Sequence, residues 1–347
     1  MDQSPLPPTV DEPVSVPAPT VELRGVTHRF GDVVALDDLS FVVPARSITV
    51  LLGPNGAGKT TAIRVITGAL SPRTGEIRTL GVDPRTDGDQ VRPRCGVVSA
   101  KPALYDRLSG YDNLLYSAQL YGVAGAGVEG RIRDAAHRFG IDAALDHQVG
   151  AYSTGMKTRL ALTRAVLHHP ELVLFDEPTS GLDPESAHAV LALIHEMTAE
   201  GCTVVMCTHL LSEAEGLADH IVVMEAGSAL VAGSPAGLTE RYWPGDQVRV
   251  DAEQPDQLDR VATWPGVVAY ERDPGEPARI HLDHAGRLPD IVLALARDGV
   301  RLTRVEPHAP TLEDLYFAVR RGSAGGGLAP VERGTVPQSR ERIGAQR

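Results

Sequence analysis

The chain is poor in the features that carry proteins onto nucleic acid or through a membrane. Only 33 lysines and arginines stand against 45 acidic residues, a formal net charge of −12. That balance argues against general affinity for nucleic acid or an anionic lipid surface, since both need clustered basic side chains. No apolar run approaches the roughly 20 residues that cross a bilayer, and the N-terminus lacks a basic segment followed by an apolar one. The expectation is a cytoplasmic chain whose membrane attachment, if any, comes through a protein partner. Cysteine is also scarce. Cys95, Cys202 and Cys207 are odd in number and lack metal-ligand spacing, and Cys207 lies in an apolar run, so all three read as reduced and structural.

What is present is concentrated in one loop. Gly53-Pro54-Asn55-Gly56-Ala57-Gly58-Lys59-Thr60 fits the phosphate-cradling pattern G-x-x-x-x-G-K-[ST] at every fixed position. The run Ser47 to Leu52 before it is apolar and β-rich, and Thr61 to Ile66 after it has apolar residues at helical spacing. In that strand, loop and helix order, the glycines let backbone N–H groups turn around a polyphosphate at the positive end of a helix. The reading is an ATP site, with Lys59 on β- and γ-phosphate oxygens, Thr60 offering a hydroxyl to Mg²⁺, and Thr61 completing the loop's contacts.

A second pattern complements the first. Leu172-Val173-Leu174-Phe175 is an apolar strand ending in two carboxylates, Asp176 and Glu177. In phosphate-loop ATPases the first such acid helps hold the Mg²⁺ shell, and in one branch the second polarises the attacking water. Short apolar runs recur at Thr203–Cys207 and Ile221–Met224, separated by helical patterns such as Ala187–Met197. This alternation predicts a mainly parallel sheet covered by helices. The runs Val21–Leu23 and Phe41–Val43, broken by turn-like Phe30-Gly31-Asp32 and Leu36-Asp37-Asp38-Leu39, predict an antiparallel β subdomain beside the loop. From Arg92 to Leu167 the pattern is nearly all helical and reads as an insertion.

Between and after these motifs the chain resembles the ATP-binding subunits of ABC transporters. Tyr152-Ser153-Thr154-Gly155-Met156 stands where that family carries its signature motif, Ser180-Gly181-Leu182-Asp183 resembles the D-loop, and Thr208-His209 resembles the switch histidine. Phe30 falls where an aromatic ring usually stacks on adenine. The resemblance implies two copies arranged head to tail, each ATP lying between the phosphate loop of one and Ser153, Thr154 and Gly155 of the other. Glu177 would orient water, His209 would meet the γ-phosphate, and Asp183 would cross the interface. It further implies a separate membrane permease as partner, a position on the inner face of the membrane through that permease, and no nucleic acid.

One departure is visible. The family places a Gln at the end of the strand entering the helical insertion, where the aligned residue is Ala100. An alanine neither ligates a metal nor holds water, so slow or partner-dependent hydrolysis is expected. Residues 102–114, and the YSTGM signature followed by Lys157, resemble the branch serving exporters of drugs, ions or polysaccharides, and the chain as a whole resembles its drug and antibiotic exporters, such as daunorubicin-resistance ATP-binding proteins. Leu104, Tyr105 and Leu108 either line the permease docking groove or pack the helical insertion. A single-cassette importer subunit and a non-transport ATPase acting on ribosomes or DNA remain the alternatives.

The length of 347 residues allows two domains. The expected layout is a disordered leader over 1–19, an ATP-binding domain over 20–240 with its insertion at about 92–167, an accessory domain over 246–321 and a disordered tail over 322–347. In the accessory segment, strands and helices alternate in β-α-β-β-α-β order, which predicts a small α+β ferredoxin-like fold. Thr311 precedes the acidic-then-apolar run Leu312–Phe317 as a helix N-cap would. His281 and His284 fall on opposite strand faces and are not read as a metal site.

Overall fold

The computed structural model describes residues 18–123, 125–242, 246–308 and 310–324. The expected leader, apart from residues 18 and 19, and the tail beyond residue 324 lie outside the described residues. Strands β1 (Val21–Phe30) and β2 (Val33–Val43) lead into β3 (Ile48–Leu52), the phosphate-type loop and α1 (Lys59–Ile66). Next come β4 (Thr74–Thr79), α2 (Gly88–Val91) and β5 (Cys95–Val98), then the helices α3 (Gly110–Leu120), α4 (Val128–Arg138) and α5 (Thr154–Val166). Strand β6 (Leu172–Asp176), α6 (Pro184–Ala199), β7 (Thr203–Thr208), α7 (Leu211–Ala214), β8 (His220–Glu225), β9 (Ser228–Gly233) and α8 (Pro235–Tyr242) follow. The C-terminal part comprises β10 (Asp246–Ala252), β11 (Val267–Glu271), β12 (Ala278–Leu282), α9 (Leu288–Arg297), β13 (Leu302–His308) and α10 (Leu312–Ala324).

The central sheet has the order β5-β6-β7-β3-β8-β9. Its first five strands are parallel, and β9 closes the edge antiparallel to β8. Every residue of β3, β6 and β7 is buried, as expected for parallel strands covered on both faces. Alternation divides the strands between two cores. Val50, Leu52, Val173, Phe175, Val204 and Met206 face one way, against α5 and α6. Leu51, Leu174, Val205 and Cys207 face the other, against α1 and the antiparallel sheet β2-β1-β4. Each large apolar side chain so buried contributes about 1.5–3 kcal/mol. Helices α3 and α4 bury Leu114, Ala118, Ile132 and Ala136 at i, i+4 spacing, forming a third cluster with Leu160 of α5.

Two local expectations are corrected. The stretch read as nearly all helical from Arg92 begins instead with the strand expected to enter the insertion, Cys95–Val98, paired with Leu172–Phe175, and the α-helices of the insertion begin only at Gly110. Leu36–Leu39 does not break into a turn. Asp37 and Asp38 bulge opposite Thr27, with Asp38 at φ 49° and its N–H donating to Thr27 Oγ1 at 3.0 Å, so β2 continues through the bulge.

The C-terminal sheet has the antiparallel order β11-β12-β10-β13, the arrangement of a ferredoxin-like fold. A 3₁₀ segment, Pro255–Thr263, occupies the place of the first helix. Leu258, Val261, Ile291 and Leu295 cover one sheet face. Helix α10, grouped by sequence with this part, packs elsewhere: Leu312, Leu315 and Val319, at i, i+3 and i+7, are buried in the core of the central sheet. It runs to Ala324, into the stretch expected to be disordered from residue 322.

Candidate functional site

The sheet order places the ends of β6, β7 and β3 side by side. The crevice outside the carboxyl ends of parallel strands is where such sheets bind ligands. The loop after β3 is held against its neighbours by contacts that only glycine permits. A Cβ at Gly53 would lie 2.3 Å from the Met224 carbonyl oxygen, and one at Gly58, whose φ is 101°, would lie 2.6 Å from that of Ala35. Residues Pro54 to Ala57 therefore ride on β8 and β2. Lys59 is buried, and its Nζ donates to the carbonyls of Gly53 at 2.6 Å and Pro54 at 3.2 Å. An ammonium folded onto its own loop is a cation held where a polyphosphate would meet it.

The acids after β6 face this loop. Thr60 Oγ1 donates to Asp176 Oδ2 at 2.8 Å, and Asp176 is buried. Glu177 Oε1 lies 3.1 Å from His209 Nδ1 and 3.9 Å from Lys59 Nζ. Glu177 holds a left-handed φ of 54°, fixed by its N–H donating to the Cys207 carbonyl at 3.0 Å. A side chain larger than glycine in that region costs of order 1–3 kcal/mol and is found most at working sites. Lys59, Thr60, Asp176, Glu177 and His209 thus meet in one place, although the sequence separates them by up to 150 positions.

A tie missed by sequence reading supports this cluster. Buried Glu213 accepts from Thr208 Oγ1 at 2.7 Å and from Thr179 Oγ1, joining the loop after β6 to the loop after β7. Leu210 N–H donates back to Thr208 Oγ1 at 3.0 Å. Nothing in the sequence around Glu213 marks it, since a carboxylate in the first turn of a short helix is ordinarily solvated.

The remaining expected residues lie further out. Ser153 N-caps α5, accepting from the Met156 N–H at 3.2 Å, with Thr154 and Gly155 in the first turn. That turn neighbours Gly181, Leu182 and Ser186, and it does not line the cavity at the phosphate-type loop. Asp183 caps α6, and the Ser186 N–H donating to it at 2.9 Å holds its carboxyl below the usual value. Phe30 ends β1 with its ring about half exposed and edge-on to His28. Ala100 is exposed, and the Ser99 hydroxyl donates to the Lys101 carbonyl at 3.0 Å. Leu104 packs on the helical cluster, whereas Tyr105 and Leu108 are exposed, Tyr105 standing edge-on to exposed Tyr116. A cavity of about 300 Å³ adjoins the loop, lined by Leu52–Asn55, His209, Leu211 and Tyr316. A larger one of about 740 Å³ lies between α4 and the start of β6 and contains none of these site residues.

Comparison with known proteins finds relatives that cover most of the chain. The family described as ABC transporter matches residues 36–180. The Nod factor export ATP-binding protein I of Rhizobium meliloti (strain 1021) is 32% identical over 314 residues, covering 88% of this chain and 89% of that protein. The daunorubicin resistance ATP-binding protein DrrA2 of Streptomyces coeruleorubidus is 32% identical over 306 residues, covering 86% and 94%. A solved structure of an ATP binding subunit of an ABC transporter is 30% identical, with a TM-score of 0.60, and covers 64% of this chain and 93% of that one.

Proposed function

The chain belongs to the ABC transporter ATP-binding proteins, and from that premise we propose that it is the ATPase subunit of a small-molecule exporter, working as a homodimer on a separate permease. The observation that carries the site reading is the convergence of Lys59, Thr60, Asp176, Glu177 and His209 at the ends of β3, β6 and β7. Relatives that cover most of the chain are named for export and for drug resistance, which supports the direction of transport.

In this reading the backbone of Gly53 to Gly58 wraps the phosphates, and Lys59 leaves its loop carbonyls for the β- and γ-oxygens. Thr61 adds a contact at the start of α1, and Phe30 offers its exposed ring to adenine. Thr60 and Asp176 fit Mg²⁺, being hard oxygen donors already paired at 2.8 Å. Bound there, the ion would neutralise charge developing on the phosphates. Glu177 orients the attacking water, and His209, held by the same carboxylate, meets the γ-phosphate. The exposed N-terminal turn of α5 supplies Ser153, Thr154 and Gly155 to the ATP of a second copy, and Asp183 lies beside it at the same face. Hydrolysis then removes the ligand that favours the closed dimer.

No described helix is long and apolar enough to cross a membrane. The proposed location is the cytoplasmic face of the membrane, through the permease, with exposed Tyr105, Leu108 and Tyr116 as the docking surface. The test is to express the chain with and without the membrane protein encoded beside it. The expected result is sedimentation with membranes, and increased ATP turnover, only in the pair. Co-fractionation with ribosomes or nucleic acid instead would refute the exporter reading.

A further inference from the structure

Helix α10 reaches the ATP site from the far end of the described chain. Its buried Leu312, Leu315 and Val319 set it into the central core, and the Leu312 N–H donates to Glu215 Oε1 at 3.3 Å. Tyr316, on the same helix, shares the 300 Å³ cavity with Gly53, Pro54, Asn55 and His209. One turn further, Arg320 pairs with Glu225 at 2.6 Å and lies over the Tyr316 ring at 5.6 Å. Glu225 ends β8, and the preceding carbonyl, that of Met224, is the atom packed on Gly53. At its start the helix is tied to the C-terminal sheet, because His308 of β13 lies 2.7 Å from Asp314 Oδ2.

We propose that Tyr316 is a positioning residue for the γ-phosphate. Its ring lines the same cavity as the first limb of the phosphate loop, Gly53 to Asn55, and His209, and by filling that side it limits both to the arrangement that receives the third phosphate. A bulky ring beside a cavity limits how far its other walls can move inward, and removing it enlarges that space. Without the ring, the loop and His209 relax into the cavity, at the end of the site that ATP fills and ADP does not. Through Asp314 and His308, the C-terminal sheet is thereby connected to which nucleotide is bound. This inference rests on the reading that residues 53–60 hold the triphosphate.

The test is calorimetric titration of the full chain with ATP and with ADP, in Mg²⁺ and under non-turnover conditions. Tyr316→Ala, Tyr316→Leu and Tyr316→Phe are compared with Leu315→Ala as a packing control. Tyr316→Ala and Tyr316→Leu are expected to lower the preference for ATP over ADP about tenfold, with ADP affinity held within about twofold. Tyr316→Phe keeps the native preference, since the wall is the ring. Equal weakening of both nucleotides, as a fold defect in Leu315→Ala would give, overturns the proposal, and so does an unchanged preference. Lys59→Ala checks the underlying reading separately: undiminished ATP binding there would remove the phosphate loop assignment itself, whatever Tyr316 does.

Discussion

Replacing Glu177 with Gln isolates a charge while sparing the shape around it. The amide oxygen can still accept from His209 Nδ1, now 3.1 Å from the carboxylate, and the left-handed backbone at residue 177 is retained. What disappears is a negative charge 3.9 Å from Lys59 Nζ. At that distance, and at an effective dielectric near 20, two unit charges interact by about 4 kcal/mol. The Glu177 side chain is 21% exposed, so solvent reduces the usable part to about 1 kcal/mol. Lys59 keeps its two carbonyl partners and becomes more available to phosphate. ATP affinity should therefore stay equal or tighten by up to about fivefold. Turnover should fall by about 10²–10⁴, or 3–5 kcal/mol of transition-state stabilisation, through loss of the group that orients water. Phosphate release gives the first quantity and equilibrium ATP binding the second, while a sizing column follows the expected ATP-dependent dimer. Turnover within about threefold of wild type would refute the water-positioning role. ATP binding weakened tenfold would refute the electrostatic reasoning even if turnover were lost.

Other outcomes follow from separate parts of the structure. Ala100→Gln should raise basal ATP turnover, measured in the chain without its permease; unchanged activity would show that the missing amide does not limit the rate. Burial pushes the Cys95 thiol up to about 12 and the Cys202 thiol up to about 11, and places Cys207 well above its usual value. At pH 8 all three therefore remain protonated in the folded chain and should react slowly with a thiol reagent, then rapidly in denaturant. Rapid labelling of the native chain would contradict the burial. Leu315→Ala, at a fully enclosed position of α10, should cost about 2–5 kcal/mol by chemical denaturation; a cost near zero would mean that α10 does not dock on the central core.

The candidate site was legible wherever its residues sit in a continuous stretch. Gly53 to Thr60 and the strand ending in Asp176-Glu177 carry their meaning in local spacing, because a strand end and a helix start fix where those side chains go. His209, alone after an apolar run, was marked only by the family resemblance, and the structure places it beside Glu177. The ferredoxin-like order could likewise be read from alternating short elements. Partnership across the chain was not legible. The i, i+3, i+7 pattern of Leu312, Leu315 and Val319 says that α10 buries a face, but not that the face meets the central sheet, so Tyr316 passed unnoticed. Glu213 gains its role only when two loops from different strands meet over it. Cys95–Val98 is too short to declare itself a strand by its own pattern and is marked as one only through the family resemblance, and the Asp37-Asp38 bulge looks in sequence like a turn.

The central position of β3 also bears on how the chain is made. Residues 48–52 pair on one side with 204–208, and residues 49–52 on the other with 220–223, which leave the ribosome about 155 and about 170 residues later. Until then an apolar strand has two unsatisfied edges, a condition that makes parallel sheets slow to fold and open to aggregation. The phosphate loop cannot take its final form before Met224 arrives to support Gly53. With the proposed site at this loop, nucleotide would recognise only the finished sheet, and by mass action ATP would raise the stability of completed chains without aiding incomplete ones.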